Sequence, residues 1–108
     1  MTYDVKFSEK AEAEVDQTFF WLLGRSSEWA GTWLKALHES VGTLSEFPTR
    51  CPLARESILF DSPVRCHLFR DYRILFSLID ADDDGVEDTV WILHIRHGAR
   101  SELTSESQ

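Results

Sequence analysis

The sequence has no long apolar run, and this absence excludes several classes of protein. No apolar stretch approaches the roughly 20 residues that a membrane-spanning helix requires. The N-terminal segment, MTYDVKFSEK, also lacks the apolar core of a secretory signal peptide. We therefore expect a cytoplasmic protein that has no membrane partner.

Cysteine is scarce as well, because only Cys51 and Cys66 occur in the chain. Two cysteines do not form a disulfide framework, and the cytosol would keep both of them reduced. We interpret both as structural thiols, since neither lies in a recognisable nucleophile motif. A zinc site that combines Cys66 with His67, His94 and His97 is not expected, because these side chains alternate across strands and no CxxC pair accompanies them.

Positive charge is the third scarce feature. Eleven Lys and Arg stand against nineteen Asp and Glu, which gives a formal net charge of −8. Phosphate binding needs clustered positive charge, so non-specific binding to DNA or RNA is not expected. From Arg50 onward all seven basic residues are arginines. Arginine suits bidentate contact with phosphate or carboxylate, so these side chains either bind an anionic ligand or neutralise acidic residues of the chain.

The first half of the chain predicts one strand and two helices. A length of 108 residues suits one domain with one core. Residues 2–7 alternate polar and apolar as a short strand does, and Ser8 is a candidate N-cap. A break at Gly24 to Ser27 separates two helices, and Ser26 or Ser27 can cap the second one. The short turn should join them as an antiparallel hairpin. We expect Phe20 and Trp21 to cover a sheet edge; an exposed aromatic patch that binds a partner is the alternative.

The second half predicts three strands, Val64–Arg70, Tyr72–Asp80 and Thr89–Arg96, after a connecting loop over residues 49–63. The order βααβββ indicates an α+β domain over residues 1–100. In it a helical hairpin packs on one face of a small, mainly antiparallel sheet and leaves the other face available. Residues 101–108 form a polar C-terminal tail.

An acidic loop connects the last two predicted strands. Asp80, Asp82, Asp84 and Gly85 spell D-x-D-x-D-G, which is how a calcium-binding loop begins. The twelfth position is Trp91 instead of Glu, and strands flank the loop where a calcium loop has helices. We therefore interpret the segment as a solvated hairpin tip and expect no metal.

A candidate anion site follows from the alternation of side chains along strands. Arg65 and His67 share one face of the predicted strand Val64–Arg70. With Arg73 on the middle strand and Arg100 after the last, they predict a cationic concavity in an acidic protein. The alternative is that Arg73 is buried in a salt bridge with Asp71 or Glu56.

These elements resemble the RelE/ParE superfamily of bacterial toxins, which are the toxin halves of type II toxin–antitoxin (plasmid stabilisation) systems. The resemblance is carried by DYRILFSLID on the middle strand, by VWILHIRHGAR at the end of the last strand, by a helix that ends in LSEFP and by the Arg55-Glu56 pair. It extends from about Val5 to Arg100. It implies a growth-inhibiting toxin with the RelE/ParE-like fold that a cognate antitoxin protein neutralises.

The two branches of the superfamily imply different chemistry. RelE-like members cleave mRNA at the ribosomal A site by acid–base chemistry and need neither a metal nor a cofactor. In that reading Arg73 and Arg100 match arginines that contact the scissile phosphate, and Arg65 and His67 take positions where such members carry lysines. If the chain is an enzyme, the resemblance implies a metal-independent mRNA endoribonuclease.

Two departures favour the other branch. RelE-like members have a C-terminal Tyr, whereas SELTSESQ contains no aromatic residue, and the basic surface that would dock on ribosomal RNA is missing. ParE-like members inhibit DNA gyrase with no known catalytic residues. We therefore favour a ParE-like, gyrase-directed toxin. A non-toxic binding module that keeps the fold is a further alternative.

Overall fold

The computed structural model describes residues 2–98. Within this range the order βααβββ is confirmed, and so is the α+β class. The elements are β1 (Asp4–Phe7), α1 (Glu9–Leu23), α2 (Ser27–Gly42), β2 (Arg65–Phe69), β3 (Tyr72–Ile79) and β4 (Thr89–His97). Short 3-10 turns cover Thr43–Ser45, Pro48–Arg50 and Arg55–Leu59 between α2 and β2.

Both helices begin where the sequence predicts. The Ser8 hydroxyl accepts a hydrogen bond from the Ala11 N–H at 3.0 Å, and the Ser26 hydroxyl accepts one from the Trp29 N–H at 3.2 Å. Each hydroxyl satisfies a backbone donor that the first helical turn leaves without an intrahelical partner. Neither helix has the length and apolar character needed to cross a membrane.

The four strands form one sheet in the order β1-β4-β3-β2. The β4–β3 and β3–β2 pairings are antiparallel, and β1 pairs with β4 in parallel. The sheet is therefore mainly antiparallel, as expected. β1 is much shorter than β4 and pairs only with Thr89 to Ile92, so the C-terminal half of β4 lies beyond the end of β1.

The helical hairpin covers one face of the sheet, which we call the helix face. Side chains from both helices and from three strands meet there in the main core. Its fully buried members include Ala11, Leu37, Val41, Leu44, Ile74, Phe76, Val90 and Ile92. Removal of this apolar surface from water is the principal force that holds the hairpin on the sheet.

The opposite face, which we call the far face, is not left available as expected. Ala54 and Phe60 from the loop between α2 and β2 pack there against Val64, Cys66 and Leu75 in a second, smaller cluster. The loop covers this face because Cys66 and Leu75 are apolar and would otherwise lie in water.

The expectation that Phe20 and Trp21 cover a sheet edge is wrong. Their side chains are 66% and 58% exposed near the C-terminal end of α1. The Arg25 guanidinium lies 4.3 Å from the centre of the Trp21 ring. With the exposed Trp29 at the start of α2, these residues form an aromatic patch at the hairpin turn, which is the alternative that the sequence left open.

Candidate functional site

Arg73 lies on the far face and forms an ion pair with Glu56. Both of its terminal nitrogens donate to the carboxylate, one of them to Glu56 Oε1 at 2.8 Å. Glu56 is only 2% exposed, and it comes from the 3-10 turn that covers this face. The hydrogen bonds from Arg73 lower the pKa of Glu56 against the opposing effect of burial. The predicted alternative, a buried salt bridge of Arg73, is therefore what the structure contains.

Arg96 stands directly opposite Arg73 in the β3–β4 register. Like charges at opposed positions repel each other, and here each guanidinium has a carboxylate of its own. Arg96 Nη1 lies 3.4 Å from Oε2 of Glu14, which projects from α1. The two arginines of the far face are thus neutralised from two different elements of the fold.

The Glu14 carboxylate makes further contacts at the edge of β4. Its Oε1 accepts a hydrogen bond from the Ile95 N–H at 2.8 Å, and its Oε2 lies 3.2 Å from His94 Nδ1. Burial by itself would raise the pKa of Glu14, but the hydrogen bonds from His94 and Ile95, with the electrostatic effects of His94 and Arg96, lower it below its ordinary value. Because β1 ends before this part of β4, the Glu14 carboxylate takes the place of a strand partner at Ile95.

Arg65 and His67 lie on the helix face. Arg65 Nη1 donates to the Cys51 carbonyl at 2.7 Å, and His67 Nε2 lies 2.8 Å from the Ser40 hydroxyl on α2. Arg50 acts electrostatically on His67 and, together with Arg65, on Cys51, and its Nη1 donates to the Glu46 carbonyl at 2.6 Å. Burial lowers the pKa of His67, and the positive charge of Arg50 lowers it further. A residue that the sequence did not single out, Arg50, therefore belongs to this group.

The predicted single cationic face does not form. The β2–β3 register pairs Leu68 with Arg73 and His67 with Ile74, which places Arg65 and His67 on one side of the sheet and Arg73 on the other. The register is set by the tight turn at Arg70, whose φ of 52° is left-handed. Arg100 lies outside the described residues.

A cleft of about 730 Å³ lies between α1 and the adjoining ends of β3 and β4. Its walls include Glu14, Trp21, Tyr72, Arg96 and His97. The Tyr72 and His97 rings are 5.3 Å apart in an edge-on arrangement. Arg96 already contacts Glu14 and Asp71 adds a further carboxylate, so the cleft offers aromatic surface and no excess of positive charge. It is suited to contact with a protein segment more than to phosphate chemistry.

Glu14 is the residue in this region that sequence reasoning missed. It lies three residues after Ala11 and four before Thr18, so it shares their side of α1. A carboxylate next to an apolar helix face was the available signal. Its partners could not be read from the sequence, because they depend on how far β4 extends beyond β1.

The acidic loop between β3 and β4 is exposed, as a hairpin tip should be. The carboxylates of Asp80, Asp82, Asp84 and Asp88 lie within 4.8 Å of one another. Asp80 accepts hydrogen bonds from the backbone N–H groups of Asp84 and Gly85, so its oxygens serve the turn itself. A hydrogen bond to Asp88, with the surrounding negative charge, raises the pKa of Asp82 to about 6.

Comparisons with known proteins identify a protein family and solved structures that this chain resembles. A family model described as "ParE toxin of type II toxin-antitoxin system, parDE" matches residues 5–102. The toxin–antitoxin complex RelBE2 from Mycobacterium tuberculosis contains a chain that is 26% identical, with a TM-score of 0.51, and the match covers 90% of this chain and 99% of that one.

A second solved structure supports the fold. A chain of the chromosomal ParDE toxin–antitoxin system from P. aeruginosa is 20% identical, with a TM-score of 0.65. The match covers 89% of this chain and 96% of that one. No curated protein matches the chain in sequence.

Proposed function

The chain belongs to the ParE toxin family of type II toxin–antitoxin systems, and from this membership we propose that it inhibits bacterial growth in the cytoplasm by binding DNA gyrase. In this proposal the toxin acts by contact with its target and uses no catalytic side chain.

The separation of the arginines is the observation that favours this role over RNA cleavage. Cleavage of RNA requires acid, base and phosphate-stabilising groups that converge on one reacting phosphate. Arg65 and His67 face α2, whereas Arg73 faces the opposite side and is held by Glu56. A toxin that works by binding needs no such convergence, and the ion pairs can then serve stability alone.

A cognate antitoxin is the second part of the proposal. Both solved structures named above are toxin–antitoxin complexes, and we propose that a corresponding partner neutralises this chain. Phe20, Trp21 and Trp29 expose large aromatic surfaces at the hairpin turn. Exposed aromatic side chains of this kind are common anchors at protein interfaces.

Pulse labelling of bacteria after induced expression tests the target. Incorporation of thymidine and of amino acids is followed separately, with a chain truncated by an early stop codon as the control. We expect DNA synthesis to collapse first, accompanied by a DNA-damage response. Early collapse of protein synthesis would instead support an RelE-like endoribonuclease, and continued growth with the folded protein present would support a non-toxic binding module.

A further inference from the structure

Arg50 and Arg65 differ from Arg73 and Arg96 in what they contact. The described contacts of the first two are to carbonyl and hydroxyl oxygens, which carry no formal charge. Their positive charge is therefore held in place without being neutralised. Burial raises the pKa of the Cys51 thiol, and the charges of Arg50 and Arg65 oppose this rise. Both guanidinium groups therefore contribute positive electrostatic potential at Cys51.

Arg65 belongs to β2, and Arg50 comes just before the segment that pairs with the outer edge of this strand. The Cys66 N–H donates to the Pro52 carbonyl at 3.0 Å, and the Ala54 N–H donates to the Val64 carbonyl at 2.8 Å. The segment before β2 therefore covers the first half of this edge, away from β3. Because backbone groups alternate along a strand, the N–H and C=O of Leu68 also point away from β3.

The covering segment stops before it reaches Leu68. Among the described residues, none pairs with the outward N–H and C=O of Leu68. The Leu68 side chain is 70% exposed and lies on the far face, opposite to the side that carries Arg65. An unpaired strand edge with charge on one side and apolar surface on the other is suited to a strand from another chain.

We propose that this edge binds an extended acidic segment of the cognate antitoxin. The segment adds to β2 at Leu68, its carboxylates meet Arg65 and Arg50 on the helix face, and its apolar side chains pack beside Leu68 on the far face. Such a segment alternates acidic and apolar residues, because neighbouring side chains of a strand point to opposite faces. The inference rests on the proposed antitoxin partner and specifies where and how it binds.

The charge distribution favours a polypeptide over a nucleic acid at this edge. The chain carries a formal net charge of −8, which repels a long polyanion. A short segment senses mainly the nearby arginines, since charges separated by more than about 8 Å are screened at physiological salt. The outward N–H and C=O of Leu68 also match the backbone of a peptide, which offers the complementary groups in the same spacing.

A synthetic peptide tests the inference on the full chain. The probe is a short fluorescent peptide in which glutamate alternates with valine, and its binding is followed by fluorescence anisotropy. We expect binding that weakens as salt is raised. We expect the double variant Arg50→Gln/Arg65→Gln to lower the affinity about tenfold, at the upper end of what two exposed charge pairs provide.

Control variants separate charge from folding. Lys10→Gln removes an exposed positive charge near the start of α1 and should leave affinity unchanged. Arg65→Lys keeps the positive charge and should retain most of the binding, and thermal unfolding of each variant establishes that it is folded. A peptide N-methylated at alternate residues should bind weakly, because it cannot form the strand hydrogen bonds.

Several outcomes would overturn the inference. The first two are that the glutamate peptide does not bind the chain, or that it binds the double variant as tightly as the unmodified chain. The third is that a peptide with lysine in place of glutamate binds the chain equally well. The fourth is that single-stranded RNA displaces the glutamate peptide at a lower concentration than unlabelled peptide does. None of these depends on growth inhibition or gyrase. A chain that binds the peptide without inhibiting gyrase would contradict the proposed target and leave this inference standing.

Discussion

The two sides of the sheet use the same residue type for opposite purposes. On the far face Arg73 and Arg96 stand next to each other, and carboxylates from a turn and a helix neutralise them. On the helix face carbonyl oxygens accept hydrogen bonds from Arg50 and Arg65, and these acceptors do not neutralise the positive charge of either side chain. The comparison shows that the acceptor atom determines whether an arginine stabilises the fold or remains available to a partner.

Removal of Arg73 should produce the largest effect of the variants considered. Arg73→Ala leaves the Glu56 carboxylate buried without its cation, and such a loss costs about 3–5 kcal/mol of unfolding free energy. Denaturant unfolding measures the change. The double variant Arg73→Met/Glu56→Leu removes both charges and should recover most of the loss; if the double variant is as unstable as the single one, the ion pair is not the cause.

Glu14 tests the other neutralised arginine. In Glu14→Ala the Ile95 N–H loses its acceptor and Arg96 loses its counter-charge, so we expect a loss of about 1–3 kcal/mol in unfolding free energy. Asp16→Asn, an exposed carboxylate on the same helix, is the matched control and should change stability by less than about 0.5 kcal/mol. Similar losses in the two variants would show that Glu14 has no special role at the edge of β4.

Acid should lower the unfolding free energy by protonating Glu14 and Glu56, the carboxylates that neutralise Arg96 and Arg73. The pKa values of Glu14 and Glu56 are lowered in the folded chain, so their contribution is complete above the ordinary carboxyl pKa and is lost as the pH falls through the lowered values. Denaturant unfolding at a series of acidic pH values should show stability falling. The Arg73→Met/Glu56→Leu variant should lose less over the same range, and an unchanged slope would contradict the assignment to Glu56.

The helix-face arginines should matter least for stability. Arg65→Gln removes the hydrogen bond to the Cys51 carbonyl, and we expect it to cost about 0.5–1.5 kcal/mol of unfolding free energy. Thermal and denaturant unfolding check this value against Arg25→Gln. A loss as large as that of Arg73→Ala would remove the distinction between the two faces.

Local sequence signals were sufficient for the elements of the fold. The Ser8 and Ser26 caps, the periodic apolar residues of both helices and the β-branched runs around the Asp-Gly loop each depend on nearby residues only. The predicted helices and strands therefore match the structure within a few residues.

The candidate site depended on information that the sequence does not carry locally. A shift of one residue in strand pairing moves a side chain to the other face. The tight turn at Arg70 fixes the pairing of Leu68 with Arg73, which places Arg73 on the face opposite to Arg65. Glu56 comes from a loop without periodicity, so its approach to Arg73 was open to two alternatives. Glu14 reaches β4 only because β1 is short.

Inhibition of DNA supercoiling tests the central claim most directly. Purified full-length chain is added to DNA gyrase with relaxed plasmid and ATP, and supercoiled product is resolved by gel electrophoresis. If the chain is a gyrase-directed toxin, supercoiling falls as its concentration rises, and Arg65→Gln inhibits as strongly as the unmodified chain because no catalytic arginine is involved. Undiminished supercoiling, with cleavage of mRNA in a ribosome-containing reaction, would contradict the proposed target.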